Sequence, residues 1–266
     1  MPTIQSRHNP KVKLARRLLT RQGRRKHGLF IAEGLRHVGA ALEANAAMDF
    51  LLWAPERLTS AFGRRIVAEA EKRCAVYATT GEVLDSLSPR EHSQGLLAVF
   101  PMRATPLEAL TPRRHPWVVA VIAPQNPGNI GTLLRTIDAA GAHALVLLEG
   151  GADPYHPAAV RASMGALFWL PVVQTSWEAF LAWAQSHGYH LYGSSAHGTA
   201  SCADIDYTKP AVLLLGNERR GLSPTQREAC EAIAALPMEG HGTSLNLAVA
   251  AGVLLYAMRA RLKAPP

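Results

Sequence analysis

The sequence has few cysteines and no long hydrophobic run, and both shortages narrow the class of protein. Its three cysteines, Cys74, Cys202 and Cys230, are odd in number and lack metal-ligand spacing, so neither a disulfide framework nor a metal site is expected. This usage fits a reducing compartment, and we expect a cytoplasmic protein. The longest apolar stretch, residues 247–258, is too short to span a bilayer. No apolar segment lies among the basic residues at the N-terminus, so we do not expect a secretory signal.

Acidic residues are absent from the first 32 positions, whereas nine Lys or Arg residues lie there. The rest of the chain has 19 basic and 20 acidic residues, a net charge of −1 (19 − 20), so the overall charge of +8 is concentrated in this segment. Such a positive arm is expected to bind nucleic-acid phosphates with a strong salt dependence. A solvated tail or a membrane-surface helix is the alternative. The residues predicted to bind nucleic acid are Arg7, Lys11, Lys13, Arg16, Arg17, Arg24, Arg25 and Lys26.

Proline divides the chain, because Pro101, Pro106, Pro112 and Pro116 fall within 16 residues. A segment so rich in proline discourages regular structure and marks a linker. We therefore expect a basic arm at 1–28, a small α/β domain at 29–100, a linker at 101–116 and a larger domain at 117–266.

Beyond the linker, predicted strands and helices alternate, which is typical of a mainly parallel sheet covered on both faces. Ligands in such sheets bind at the carboxyl ends of the strands. The predicted strands are 117–123, 144–149, 170–173, 190–194, 212–215 and 232–236, and the predicted helices are 130–140, 157–165, 177–187 and two that begin at 224 and 244. In the small domain the pattern predicts helices over 30–44 and 59–73 and strands over 50–54, 75–78 and 95–100.

Three segments of the larger domain share one pattern of strand, Gly/Asn-rich turn and helix. They are NPGNIGTLLRTIDAAG at 126–141, LLLGNERRGLSP at 213–224 and LPMEGHGTSLNLAVAA at 236–251. In the first, the apolar stripe of the helix places Arg135 about 140° from its centre, so this side chain can reach a cleft or water.

Each of these polar residues also has an ordinary structural interpretation. Asn129 suits a helix cap, and Arg135 suits a solvated surface charge. Glu218 could be a surface acid paired with Arg219 or Arg220. In the third segment, Thr243 or Ser244 could cap the last helix.

Taken together and in this order, the three segments resemble the signature motifs of the SpoU/TrmH family of RNA ribose 2′-O-methyltransferases, knotted enzymes of the SPOUT superfamily. The segments FIAEGLRHV and SQGLLAVF look like the substrate-binding domain found at the N-terminus of many such enzymes. The resemblance implies an α/β fold with a deep trefoil knot in the C-terminal domain. It also implies S-adenosylmethionine as cofactor, no metal, and a homodimer formed through the last helix. The substrate could be ribosomal or transfer RNA, and the basic N-terminal extension favours ribosomal RNA.

The resemblance assigns roles to individual positions. The family's arginine, here Arg135, has been cast as a base. A guanidinium stays protonated at neutral pH, so we prefer a role in orienting the adjacent phosphate, and the general base stays open. Asn126 replaces an Asp common in the family. The implied catalytic residues are Asn129, Arg135, Glu218, Ser244 and Asn246, and the implied cofactor-binding residues are Ser194, Ser195, Ala196, Leu215, Gly216, Asn217, Leu236, Met238, Ser244 and Leu245.

Two other functions fit parts of the sequence. The strand before Gly128 and Gly131, followed by a second strand that ends at Glu149, could form an NAD-type dinucleotide-binding unit, although these glycines do not give the G-x-G-x-x-G spacing. A non-catalytic protein that binds or helps to assemble ribosomal RNA could use the basic arm and the small domain while its knotted domain is inert. An inert module would have little need for the five implied catalytic residues together, which argues against it.

Overall fold

A computed structural model describes residues 3–88, 92–196, 198, 200–242 and 244–263. The chain forms two compact units. The first contains the residues up to Arg103 together with Asp153–Trp169, and the second contains Ala104–Ala152 and the residues from Leu170 onward. Within the described ranges, none of the helices is both long and apolar enough to cross a membrane.

The first unit is built on a four-stranded mixed sheet in the order β1-β4-β2-β3. Strands β1 and β2 both run antiparallel to β4, while β2 and β3 are parallel. The predicted helix at 59–73 and the strands near 50, 75 and 95 are confirmed to within two residues. The elements are α1 Pro10–Leu18, α2 Arg21–His27, β1 Leu29–Glu33, α3 Leu35–Glu43, β2 Phe50–Trp53, α4 Ala61–Glu71, β3 Ala75–Ala78, α5 Gly81–Asp85 and β4 Leu96–Pro101.

The helix predicted over 30–44 is wrong in its first part. Residues 29–33 form the edge strand β1, whose partner β4 lies far away in sequence, and a local pattern cannot report such a pairing. Gly34 then adopts a left-handed φ of 97°, a backbone conformation that separates the strand from helix α3.

Most of the basic segment is helical, because Pro10–Leu18 forms α1 and Arg21–His27 forms α2 of the first unit. Asn9 caps α1 and Pro10 occupies its first position, while Thr20 caps α2. Helix α1 buries Val12, Ala15 and Leu18 in the same core as strands β1, β2 and β4. These helices are therefore structural parts of the unit.

The second unit contains a seven-stranded sheet in the order β7-β6-β5-β10-β8-β11-β9, and every hydrogen-bonded strand pair within it is parallel. The predicted mainly parallel sheet is confirmed, although the last helix begins at Leu247 instead of 244. The deep knot stays a prediction. The elements are β5 Trp117–Ile122, α6 Pro127–Ala140, β6 Ala144–Leu148, β7 Val172–Thr175, α8 Trp177–Ser186, β8 His190–Ser194, β9 Ala200–Ser201, β10 Ala211–Leu215, α9 Pro224–Glu228, β11 Ala232–Ala235 and α10 Leu247–Arg261, with a 3-10 turn at Leu107–Ala109.

One segment expected in the C-terminal domain groups with the first unit. It is Asp153–Trp169, which contains helix α7 (Pro157–Ala162) and the 3-10 turn Ala166–Phe168. Phe168 joins Phe30, Phe100 and Tyr155 in one aromatic cluster, with ring centroids 4.8–6.0 Å apart. The sequence pattern alone did not reveal this packing, because it depends on contacts between segments more than 50 residues apart.

The central strands of the larger sheet are continuous apolar runs. All residues of β5, β6 and β10 are buried, which is typical of strands covered on both faces. Because the strands are parallel, the carboxyl ends of β5, β10, β8 and β11 reach the same edge, and the loops that follow them meet there.

Candidate active site at the carboxyl ends of the parallel strands

A cavity of about 600 Å³ opens at this edge of the larger sheet. Its size is within the range usual for small-molecule and cofactor sites. It collects residues from all three of the motif segments. The predicted residues that line it are Asn129, Ser194, Ser195, Ala196, Leu215, Gly216, Asn217, Glu218, Leu236, Met238, Ser244, Leu245 and Asn246.

The loop after β10 is a fixed turn. The backbones of Asn217 and Gly221 exchange hydrogen bonds of 3.1 and 2.9 Å, and the Asn217 Oδ1 atom accepts from the Arg219 and Arg220 amides at 3.0 and 3.2 Å. A Cβ atom on Gly216 would lie 2.5 Å from the carbonyl carbon of Gly221, so only glycine fits there. The GNExxGL pattern therefore encodes a particular loop shape.

A strained residue at the end of β5 anchors this turn. Ala123 has a left-handed φ of 39°, and its carbonyl accepts from Asn217 Nδ2 at 2.9 Å and from Gln125 Nε2 at 2.8 Å. Such strain persists only where surrounding contacts hold it in place. Sequence reasoning missed Ala123 and Gln125, because a backbone carbonyl leaves no signal in residue type.

Three of the predicted catalytic side chains form a hydrogen-bonded chain. Glu218 accepts from the Gln125 amide at 3.2 and 3.1 Å and from Asn129 Nδ2 at 3.4 Å. Since a carboxylate only accepts, Asn129 must donate its amide nitrogen to it, and its Oδ1 atom is left to accept from Asn246 Nδ2 at 3.1 Å. The chain links the first, second and third motif segments.

These hydrogen bonds bear on the ordinary structural interpretations of Glu218 and Asn129. In the described part of the chain no ion pair joins Glu218 to Arg219 or Arg220, so the surface-pair interpretation is wrong. Asn126, not Asn129, caps helix α6 by accepting from the Gly128 amide at 2.8 Å.

The last helix also has a cap that the sequence analysis did not assign. Asn246 Oδ1 accepts from the amides of Ala248 at 2.9 Å and Val249 at 3.4 Å, so the interpretation of Ser244 as the cap is wrong. Thr243, the other suggested cap, lies outside the described residues. The sequence did contain a signal for both caps, because an Asn directly precedes helix α6 and another directly precedes helix α10.

Arg135 is not brought to the cavity of its own chain. Its side chain is exposed on helix α6, as the helical-wheel argument predicted, but it is absent from the cavity lining. Three arginines that sequence reasoning did not select, Arg219, Arg220 and Arg227, do line the cavity.

The predicted RNA-binding residues separate into two groups. Arg24 was expected to contact RNA, but its side chain is fully buried and that prediction is wrong. Its Nε atom donates to Asp153 Oδ2 at 2.8 Å, and its Nη1 atom donates to the carbonyls of Leu18 and Leu19.

Two further basic side chains also make internal contacts. The Lys11 Nζ atom lies 4.5 Å from the ring centroid of Phe50, and Arg16 donates to Ser86 Oγ at 3.1 Å. The exposed group consists of Arg7, Lys13, Arg17, Arg25 and Lys26, together with Arg21.

The described residues contain no group of three or more His, Cys, Asp or Glu side chains arranged to hold a metal ion. The candidate cofactor-binding residues have a different character. Leu236, Met238 and Leu245 supply apolar side chains to the cavity, and the strand ends supply backbone polar groups. This combination fits a nucleoside, whose base needs an apolar slot and whose edges need hydrogen bonds.

A parallel α/β sheet with a cofactor-sized, partly apolar cavity at its carboxyl edge is typical of proteins that bind a nucleoside or nucleotide cofactor. The model of the SpoU rRNA Methylase family matches residues 116–256, and that of the MRM3-like substrate binding domain matches residues 9–98. The chain belongs to the SpoU rRNA methylase family.

Named relatives extend over most of the chain. It is 34% identical to the 23S rRNA (uridine(2479)-2'-O)-methyltransferase of Streptomyces viridochromogenes, covering 91% of this chain and 86% of that protein. It is 31% identical to the 23S rRNA (guanosine(2553)-2'-O)-methyltransferase RlmP of Bacillus subtilis, covering 97% and 100%. A crystal structure of an AdoMet-bound rRNA methyltransferase from Sinorhizobium meliloti is similar with a TM-score of 0.88 at 32% identity, covering 98% of this chain and 99% of that one.

Proposed function

We propose that this protein transfers a methyl group from S-adenosylmethionine to a ribose 2′-hydroxyl of ribosomal RNA. The observation that carries the proposal is the single cavity that unites an apolar nucleoside slot with the Glu218–Asn129–Asn246 chain. When bound, S-adenosylmethionine supplies a methyl group already activated by its sulfonium charge. The protein then has to position the ribose and remove one proton.

Glu218 is the group best placed to accept that proton. Among the described residues that line the cavity, it is the one carboxylate. Its two oxygens offer about four lone-pair sites, and hydrogen bonds from Gln125 and Asn129 leave capacity for a hydroxyl. Asn129 and Asn246 act as positioning residues, since each holds the next member of the chain. Ser244 lies on the cavity wall as a further hydrogen-bonding group.

The protein acts as a homodimer in this proposal. Helix α10 packs one face against α6 and β10, while Val249, Val253 and Tyr256 are 54%, 48% and 51% exposed on another. Their i, i+4, i+7 spacing makes one apolar stripe, which is unusual on a surface unless a partner covers it. A second copy on this stripe would bring helix α6 of one subunit near the cavity of the other. Arg135 would then serve the neighbouring cavity by orienting an RNA phosphate.

RNA is recognised partly through the exposed basic side chains of α1 and α2, namely Arg17, Arg21, Arg25 and their neighbours. We propose that this activity is cytoplasmic, which a ribosomal RNA substrate and the three free cysteines support. The buried Arg24 does not take part in this contact, because its guanidinium is already paired.

Titration calorimetry with three ligands tests the proposal against its rivals. We expect S-adenosylmethionine and its demethylated product to bind and NAD not to bind. Binding of NAD alone would identify a dinucleotide enzyme. Binding of neither, with RNA affinity intact, would identify a non-catalytic RNA-binding protein.

A further inference from the structure

Arg219 and Arg220 stand at the tip of the loop after β10, directly beside Glu218. Both side chains are exposed, and both line the cavity. The loop that carries them does not depend on them, since Asn217 and Gly221 close the turn through their backbones. Asn217 also fixes the amides of both arginines. The two guanidinium groups are therefore displayed from a rigid base.

Neither guanidinium is neutralised within the described residues. No carboxylate there lies within 4 Å of Arg219 or Arg220, and neither side chain has another recorded partner. The adjacent acid, Glu218, is instead engaged by Gln125 and Asn129. Among the described residues of the cavity lining, Arg219 and Arg220 therefore place two positive groups beside a carboxylate that is already hydrogen-bonded.

We propose that Arg219 and Arg220 bind an RNA backbone phosphate next to the target nucleotide and so position its ribose over the cavity. This inference rests on the proposed function and names two specificity-determining residues for it. Arginine suits the task, because its planar fork matches the geometry of a phosphate. The same loop holds Glu218, so a phosphate bound at the tip would place the neighbouring ribose near the proton acceptor.

A carboxylate of the cofactor is the other anion that the pair could take. Both side chains are exposed, which favours the RNA backbone. An RNA chain that crosses the cavity mouth can contact side chains that stay in water, outside the cofactor slot. The two sources predict different losses. A phosphate site affects RNA binding and its salt dependence, whereas a carboxylate site affects cofactor binding.

The test compares Arg219→Gln/Arg220→Gln with a matched double variant, Arg113→Gln/Arg114→Gln. The control removes the same charge from an equally exposed Arg-Arg pair that precedes β5, at the opposite edge of the sheet. For both variants and the wild type, one would measure melting temperature, cofactor affinity by calorimetry, affinity for unmodified in vitro transcribed 23S rRNA at several salt concentrations, and kcat and KM.

We expect the Arg219/Arg220 variant to bind this RNA roughly tenfold more weakly, with a log–log salt slope smaller by about 0.7 for each lost contact. Its KM for RNA should rise while its cofactor affinity and melting temperature stay at wild-type values. The inference is overturned if the control variant loses as much RNA affinity, if only cofactor affinity falls, or if RNA binding is unchanged. Absence of methyl transfer by the wild type would instead refute the proposed function.

Discussion

Basic helices α1 and α2 and the cavity loops of the second unit use polar side chains in opposite ways. In the helices, neighbours in sequence have unrelated roles, because Arg24 is fully buried against Asp153 while Arg25 is exposed. In the loops, residues far apart in sequence share one role, because Glu218, Asn129 and Asn246 form a single hydrogen-bonded chain. The number of charged residues in a segment thus does not tell which of them are exposed, whereas the residue types and spacings of the motifs do tell which side chains meet at the cavity.

Arg135 differs most from the other predicted catalytic residues, because it belongs to the first motif segment but does not line the cavity of its own chain. The Arg135→Ala homodimer and the Leu245→Arg homodimer should each transfer methyl groups at least about 100-fold more slowly than the wild type. The first lacks the phosphate contact, and the second places an unpaired charge in the nucleoside slot. When the two subunits are co-expressed with different tags and purified as a heterodimer, one complete site forms, and about half of the wild-type rate should return.

A reciprocal heterodimer provides the control. It pairs a wild-type subunit with one that carries both substitutions, and it should be inactive because the intact cavity then lacks its arginine. Glu239→Arg is the control for Leu245→Arg. It introduces an arginine in the same loop but outside the cavity lining, so cofactor binding should stay unchanged. If the first heterodimer is inactive and the second has half activity, Arg135 serves its own subunit.

A second prediction separates Arg24 from Arg25. Arg24→Ala leaves Asp153 and the carbonyls of Leu18 and Leu19 without their partner, so the free energy of unfolding of the first unit should fall by about 3–5 kcal/mol. Arg25→Ala removes an exposed side chain and should change it by less than about 0.5 kcal/mol. Urea denaturation of both variants measures the difference. Equal effects would show that Arg24 is not the buried anchor of these helices.

A third prediction tests whether the exposed arginines of α1 and α2 bind RNA. Arg17→Gln/Arg21→Gln/Arg25→Gln should weaken binding to unmodified 23S rRNA several-fold and reduce the salt slope by up to about two units, since each phosphate contact on single strands contributes about 0.7. Cofactor affinity should not change. Deleting residues 1–28 is a poorer test, because it also removes Val12, Ala15 and Leu18 from the core. Unchanged affinity in the triple variant would make this surface an ordinary solvated face.

The sequence predicted most of the cavity, because its motifs specify residue types at positions where strands of a parallel sheet must end. It did not predict the Ala123 carbonyl as an anchor, since any residue type has a carbonyl. It also missed strand β1 and the burial of Arg24. Both depend on partners distant in sequence, β4 and Asp153, and no local periodicity reports them. Arg219 and Arg220 were visible only as charges until the structure showed them at the cavity.

The most direct test of the central claim is to incubate the wild-type protein with unmodified in vitro transcribed 23S rRNA and S-adenosylmethionine labelled in its methyl group. The product is then hydrolysed with alkali, which cleaves next to every free 2′-hydroxyl. We predict that the label remains in an alkali-resistant dinucleotide from one position of the RNA, and that Glu218→Gln abolishes its incorporation. Label recovered in ordinary mononucleotides, which would indicate a methylated base, or no incorporation at all, would contradict ribose 2′-O-methylation.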